Sequence, residues 1–131
     1  MKKPILILPI VLLLASCVAT TSNELRSDPS GKIEFSSDLG FDDVYELVLG
    51  KTNDCWKTGG IFTLETTINN KRQQGTITRL LSSMGMDMAV MTVDIAGNAG
   101  NSTNVTVFYG FPIKEFEAIR VIEWLNGRTD C

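Results

Sequence analysis

Residues 61–69, Ile-Phe-Thr-Leu-Glu-Thr-Thr-Ile-Asn, alternate between apolar and polar side chains over most of their length. A period of two is typical of a β-strand with one buried face, which here would carry Phe62, Leu64, Thr66 and Ile68. Polar and glycine-rich stretches, which favour turns, follow this strand and recur downstream. Three further strands are predicted at 75–81, 86–96 and 104–109.

A short strand and a helix are predicted ahead of this sheet. Residues 32–36 alternate, and Ser37 or Asp38 then offers a side-chain cap for a helix. We expect Gly50 to weaken or end that helix. Its apolar stripe at helical spacing comprises Phe41, Val44, Leu47 and Val48.

A second helix is predicted near the carboxyl-terminal end. Pro112 suits the first turn of a helix, and Gly127 is a natural stop. The predicted buried stripe consists of Ile113, Phe116, Ile119, Ile122 and Leu125.

The resulting element order is β-α-β-β-β-β-α. It predicts a single α+β domain over 31–131, in which two helices cover one face of an antiparallel sheet of four to five strands. This order is similar to the TATA-binding-protein-like arrangement and to helix-grip relatives of the START and Bet v 1 families. The resemblance concerns element order only, so it implies no function.

Residues 1–16 have the three zones of a secretory signal peptide. Lys2 and Lys3 precede an apolar run over 4–14, and small residues follow it. The run is shorter than the roughly 20 residues that a membrane-spanning helix needs. We therefore expect this segment to be cleaved.

Leu14-Ala15-Ser16-Cys17 resembles the lipobox of bacterial lipoproteins. The resemblance implies that Cys17 receives a diacylglyceryl group and becomes the acylated N-terminus. Val18, where an aspartate would favour inner-membrane retention, implies the outer membrane of a Gram-negative envelope, with the domain facing the periplasm. In a Gram-positive host the anchor would lie in the single membrane. We interpret residues 17–30, which are small and polar, as the lipidated N-terminus and a flexible tether.

The charge of the mature chain argues against two classes of partner. The signal segment holds two of the 12 Lys and Arg and none of the 15 Asp and Glu, so 10 basic and 15 acidic residues remain, a net −5. Nucleic acid binding needs a basic surface, and so does polybasic attachment to anionic lipid. We therefore expect no nucleic acid partner.

Once Cys17 is assigned to the lipobox, Cys55 and Cys131 remain as an even pair in an oxidising compartment. We predict a disulfide between them. The alternative is a redox-active pair, but such cysteines usually lie close together as Cys-x-x-Cys. We also expect at least one of Trp56 and Trp124 to pack against the bond.

A second resemblance rests on the residues around these cysteines. Cys55-Trp56, together with Trp124, Gly127 and Cys131, is similar to a pattern in small proteobacterial envelope lipoproteins. The resemblance supplies no activity.

Catalytic motifs are absent from the sequence. The chain has no histidine, which removes the commonest general base and histidine-bearing zinc sites. The acidic pairs Asp42-Asp43 and Glu115/Glu117 lie at predicted helix starts, and Asp87 and Asp94 stand alone in a strand. We interpret these as solvated acids at favourable positions and expect neither enzymatic activity nor a cofactor.

Two binding hypotheses remain open. In an extended strand Met84, Met86 and Met88 would share one face, with Met91 on the other, and three thioethers would suit Cu(I). A helix-grip arrangement instead suggests a cavity for a lipid or another hydrophobic ligand between the sheet and the carboxyl-terminal helix. Its lining would be Phe62, Leu64, Met91, Val93, Val107 and Phe116.

The leading interpretation is a lipid-anchored interaction or accessory module that docks onto an envelope protein or assembly. The predicted anchor, the predicted disulfide and the lack of catalytic motifs all favour it. Hydrophobic ligand binding comes second, and copper binding comes third.

Overall fold

A computed structural model describes residues 19–57 and 60–131, and the signal peptide and Cys17 lie outside these ranges. No helix within them has the length and apolar character needed to cross a membrane. The described elements, in chain order, are α1 (Ser22–Ser27), β1 (Gly31–Ser37), α2 (Phe41–Trp56), β2 (Phe62–Asn69), β3 (Gln74–Ser83), β4 (Met86–Gly97), β5 (Thr103–Tyr109) and α3 (Glu115–Leu125).

The five strands form one antiparallel sheet in the order β1-β5-β4-β3-β2. The predicted α+β class and the strand count are therefore confirmed. β2, β3 and β4 are joined as hairpins, and β1 pairs with β5, which places the first and last strands side by side. One face of the sheet carries α2 and α3, and we call it the helix face. The opposite face carries α1 and is called the outer face.

The helix α2 is longer than predicted and is capped differently. It runs through Gly50 to Trp56, since buried side chains continue along its face as far as its last turn. Its N-cap is Gly40, with no side-chain cap. Ser37 instead accepts a hydrogen bond from the Leu39 backbone N–H at 3.2 Å, within the turn that precedes the helix.

A β-bulge in β4 changes which face several residues occupy. Met91 lies opposite Arg79 and Ala89 lies opposite Leu80, so Val90 is an extra residue in β4. A bulge shifts the alternation of side chains by one position. Ala89, predicted on the same face as Met91, therefore lies on the outer face.

The buried face of α3 also differs from the predicted one. Ala118, Val121 and Trp124 are buried, whereas Phe116 and Ile119 are exposed. Both stripes have helical spacing, so periodicity alone does not choose between them. The small side chains of Ala118 and Val121 let the helix approach the sheet closely, and Trp124 packs against α2.

The start of α3 lies later than predicted. Pro112 belongs to the turn before the helix, which begins at Glu115. The Glu117 carboxylate accepts a hydrogen bond from the Lys114 backbone N–H at 3.0 Å. This contact satisfies an N–H at the start of the helix and sets its first residue.

Candidate functional site

Residues 19–30 are folded onto the sheet, which differs from the predicted flexible tether. Leu25 of α1 is only 1% exposed and contacts the outer face where Gly110 leaves room for it. The Thr21 hydroxyl caps α1 by accepting from the Glu24 N–H. Ser30 donates its N–H to the carbonyl of Tyr109 at 2.8 Å. A single buried leucine in a polar segment gives no periodic signal, which is why the sequence pattern missed this contact.

An ion pair fixes the same segment over the middle of the outer face. The Arg26 guanidinium donates to both carboxylate oxygens of Asp94, with Nε–Oδ2 2.7 Å and Nη2–Oδ1 2.6 Å. Thr76 donates its hydroxyl to the same carboxylate at 2.9 Å. Its hydrogen bond to Asp94 raises the pKa of Arg26 above the ordinary arginine value. Asp94 is thus a structural partner of α1 and not an isolated acid.

Ala19, the first described residue, lies beside β4. Pairing between β4 and β5 ends at Met91 and Tyr109, so the edge of β4 beyond this point is open on that side. The Ala19 carbonyl accepts a hydrogen bond there from the Ala89 N–H at 3.0 Å. A cleft of about 360 Å³ lies between this segment and the end of β5, with Leu25 in one wall. Cys17 precedes Ala19 by two positions in the chain.

A disulfide joins the end of α2 to the carboxyl-terminal segment. The Sγ atoms of Cys55 and Cys131 are 2.03 Å apart, and the Cα atoms are 5.5 Å apart. Trp56 and Trp124 lie beside it, with ring centroids 6.0 Å apart. The Trp124 indole N–H donates to the carbonyl of Asp130 at 3.0 Å. The bond and the two rings therefore form one unit that holds the end of the chain against both helices.

A buried arginine lies under this unit, on the helix face of β3. Arg79 is 7% exposed, and its guanidinium carbon is 3.8 Å from the ring centroid of Phe62 and 5.6 Å from that of Trp56. Its ion pair with Glu117 has an Nη1–Oε1 distance of 3.7 Å. Burial lowers the pKa of Arg79, and the Glu117 carboxylate acts in the opposite direction.

A cleft of about 100 Å³, here called the disulfide cleft, opens between α2 and α3 beside this arginine. Arg79, Glu117 and Arg120 all contribute to its wall. The Arg79 Nε is buried without a hydrogen-bond partner among the described residues. The Arg120 Nε lies 2.9 Å from a carboxylate oxygen of Glu123, with which it forms an ion pair. The Arg120 Nη1 donates to the Cys131 carbonyl, which ties that guanidinium to the chain terminus. The cleft thus combines aromatic walls with paired charges.

The six side chains predicted to line a hydrophobic cavity do not surround one opening. Three of them are fully buried in the core: Met91, Val93 and Val107. Phe62 and Leu64 pack at the edge of that core, and Phe62 covers Arg79. Phe116 is exposed and lines the disulfide cleft. The sheet–helix space at these positions is filled by side chains, as expected for bulky residues at interior packing density.

The methionines predicted to share one strand face are separated by a turn. Met84 and Gly85 form the two-residue β3–β4 turn, with φ of 53° and 77°, which is the left-handed pairing that tight hairpins favour. Met86 and Met88 lie in β4, and Met88 packs on the core, while Met84 is fully exposed. The Val90 bulge places Met91 on the same face as Met88, contrary to the expected alternation. The predicted arrangement of three sulfurs on one strand is therefore not formed.

The other acids considered in the sequence lie at helix starts and in a hairpin. Asp42, Asp43 and Glu115 are exposed in the first turns of α2 and α3. Asp87 accepts a hydrogen bond from the Ser82 hydroxyl across the β3–β4 hairpin. Within the described ranges, no group of three or more Cys, Asp or Glu side chains is arranged to hold a metal ion.

Two residues with specific contacts at the candidate site, Arg26 and Arg79, were not predicted from the sequence. Arg79 had a usable signal, because it occupies an inward position of a strand whose other inward residues are small or apolar. Arg26 had none, since its partner Asp94 is 68 residues away in the chain.

Comparison with protein families and with curated proteins gives no match. The functional proposal therefore rests on the chain's own residues.

Proposed function

We propose that this chain is a lipid-anchored envelope protein whose domain serves as a non-enzymatic interaction or accessory module. Residues 1–16 would be removed, and Cys17 would carry the acyl chains. Val18 favours the outer membrane, with the domain facing the periplasm. The observation that carries the proposal is the position of the lipobox cysteine, two residues ahead of the point where the chain joins the sheet at Ala19.

The docked segment would limit how far the domain can move from the anchor. Residues 22–30 are held by the burial of Leu25, by the Arg26–Asp94 pair and by the Ser30 hydrogen bond. A flexible tether of 13 residues would let the domain move tens of ångströms from the bilayer. With the segment docked, only Val18 separates the acylated cysteine from Ala19, so the domain would stay at the membrane surface.

The distribution of charge favours an interaction role over catalysis. Arg26 and Arg79 each form an ion pair with a carboxylate of the same domain. Ion pairs of this kind fix the arrangement of structural elements, here α1 on the sheet and α3 against β3. The Cys55–Cys131 bond would serve the same purpose in an oxidising compartment.

Metabolic labelling with radioactive palmitate tests the anchor. The parent chain and Ser16→Ala, which keeps a small residue before the cysteine, are expected to incorporate label. Cys17→Ser is expected to incorporate none, because the thiol that accepts the diacylglyceryl group is gone. Absence of label from the parent chain, or label retained by Cys17→Ser, would contradict the proposal.

A further inference from the structure

Exposed apolar side chains gather at one end of the sheet. Three of them lie where β3 ends and β2 and β4 begin. The fourth follows β5, whose pairing with β4 ends at Met91, so it lies farther back beside the open edge of β4. The contacts Ser82 N–H to Ile61 O and Gly110 N–H to Val90 O fix both flanks of this end. We call this surface the hairpin end, and its exposed apolar residues are Ile61, Met84, Met86 and Phe111.

The most exposed of these side chains are large and have no covering neighbour among the described residues. Met84 is fully exposed at the tip of the β3–β4 turn, and Phe111 is 85% exposed directly after β5. Large exposed apolar side chains grouped on one surface mark an interaction site more often than scattered ones do. Methionine and phenylalanine are also side chains that enter the boundary between lipid headgroups and acyl chains.

The predicted lipid anchor emerges at the same end. Ala19 is bound to Ala89, close to the start of β4, and Phe111 lines the cleft beside it. Met86, the first residue of β4, is three residues from Ala89, which is about 10 Å at the usual rise per strand residue, and the Met84–Gly85 turn lies beyond it. Cys17 precedes Ala19 by two residues, and two residues of chain span at most about 7 Å. An acylated cysteine in this position would bring the hairpin end, and not the opposite end, to the bilayer.

We propose that the hairpin end is a lipid-docking surface, with Met84, Met86 and Phe111 inserted into the interfacial layer of the membrane that holds the anchor. This inference rests on the proposed function, since it needs an acylated Cys17. Insertion is shallow, because the exposed carboxylate of Asp87 sits next to Met86 and stays with the headgroups. The contact is apolar, so it does not depend on anionic lipid or on low salt.

Tryptophan quenching by brominated lipid tests this orientation. The full acylated chain is incorporated into phosphatidylethanolamine/phosphatidylglycerol vesicles, with or without bromine on the acyl chains. Phe111→Trp and Met84→Trp place reporters at the hairpin end, and Ile68→Trp places a matched reporter at the other end of β2, where the side chain is 49% exposed. The signal of the parent chain, whose Trp56 and Trp124 are buried, is subtracted. All three positions are exposed, so the variants should fold.

The proposal predicts that bromine removes about half or more of the added fluorescence of both hairpin-end reporters and little of the Ile68→Trp signal, whether or not salt is raised. Equal quenching at both ends, or none at the hairpin end, would overturn the docking surface while leaving the anchor intact. A hairpin-end tryptophan whose emission is blue-shifted but is not quenched by bromine would also overturn the docking proposal. Protein, and not lipid, would then cover the surface. A chain whose mass includes no acyl group would refute the proposed function itself.

Discussion

Reduction of the Cys55–Cys131 disulfide is expected to lower the free energy of unfolding by about 4–5 kcal/mol, a loss large enough to threaten the folded state of a domain this size. The two cysteines are 76 residues apart in sequence, so the bond closes a loop that contains four of the five strands and α3. Closing a loop of that length removes many conformations from the unfolded chain. The loss should therefore appear mainly as faster or easier unfolding and not as a changed fold.

Urea unfolding followed by tryptophan fluorescence measures this effect, since Trp56 and Trp124 lie beside the bond. The oxidised chain is compared with the reduced chain and with Cys55→Ser/Cys131→Ser. The double variant should match the reduced chain and should not respond to reductant. Coincident urea midpoints for the oxidised and reduced chains would show that the bond does not stabilise the domain.

Removal of the negative charge at Glu117 is expected to cost about 2 kcal/mol, whereas replacement of its partner Arg79 by methionine should cost less than about 1 kcal/mol. Arg79 is almost fully buried, and Glu117 is the carboxylate that faces it. Glu117→Gln leaves the buried cation without a counter-charge. Arg79→Met removes the cation and keeps a long apolar side chain over the Phe62 ring, so the two partners of one pair should respond unequally.

Thermal or urea unfolding of the two single variants tests this asymmetry. Glu115→Gln is the matched control, because Glu115 is exposed in the same first turn of α3 and forms no ion pair among the described residues. Its effect should stay within about 0.5 kcal/mol. If Glu117→Gln were as mild as Glu115→Gln, the Arg79–Glu117 pair would not stabilise the folded state.

The sheet could be predicted because its signal is local. Alternation in β2 and in most of β4 follows directly from the pleat, and the turn residues between the strands mark where each one ends. The Val90 bulge could not be predicted, since one extra residue in an apolar run leaves no compositional mark. The buried face of α3 was mispredicted because α3 has two apolar stripes, and the choice between them depends on how closely the helix approaches the sheet.

The features of the candidate site also divide into those that the sequence reveals and those that only the structure reveals. Cys17, Cys55 and Cys131 stand out by residue type and number, so their roles can be hypothesised from the sequence. The docking of α1 depends on Arg26 meeting Asp94 across 68 residues, and such a pair is visible only once the strands are in register. This long-range contact converts the predicted tether into a folded segment, and that change gives the proposed anchor a defined position on the domain.

Intact-mass measurement of the chain extracted from cell membranes tests the central claim, which is acylation of Cys17, most directly. The account predicts a mass equal to residues 17–131 plus a diacylglyceryl group and an N-terminal acyl chain, with all added mass on the N-terminal peptide. It also predicts two hydrogens fewer than the fully reduced chain, because Cys55 and Cys131 are joined. An unmodified mass, or a mature chain that begins at a residue other than Cys17, would contradict the account.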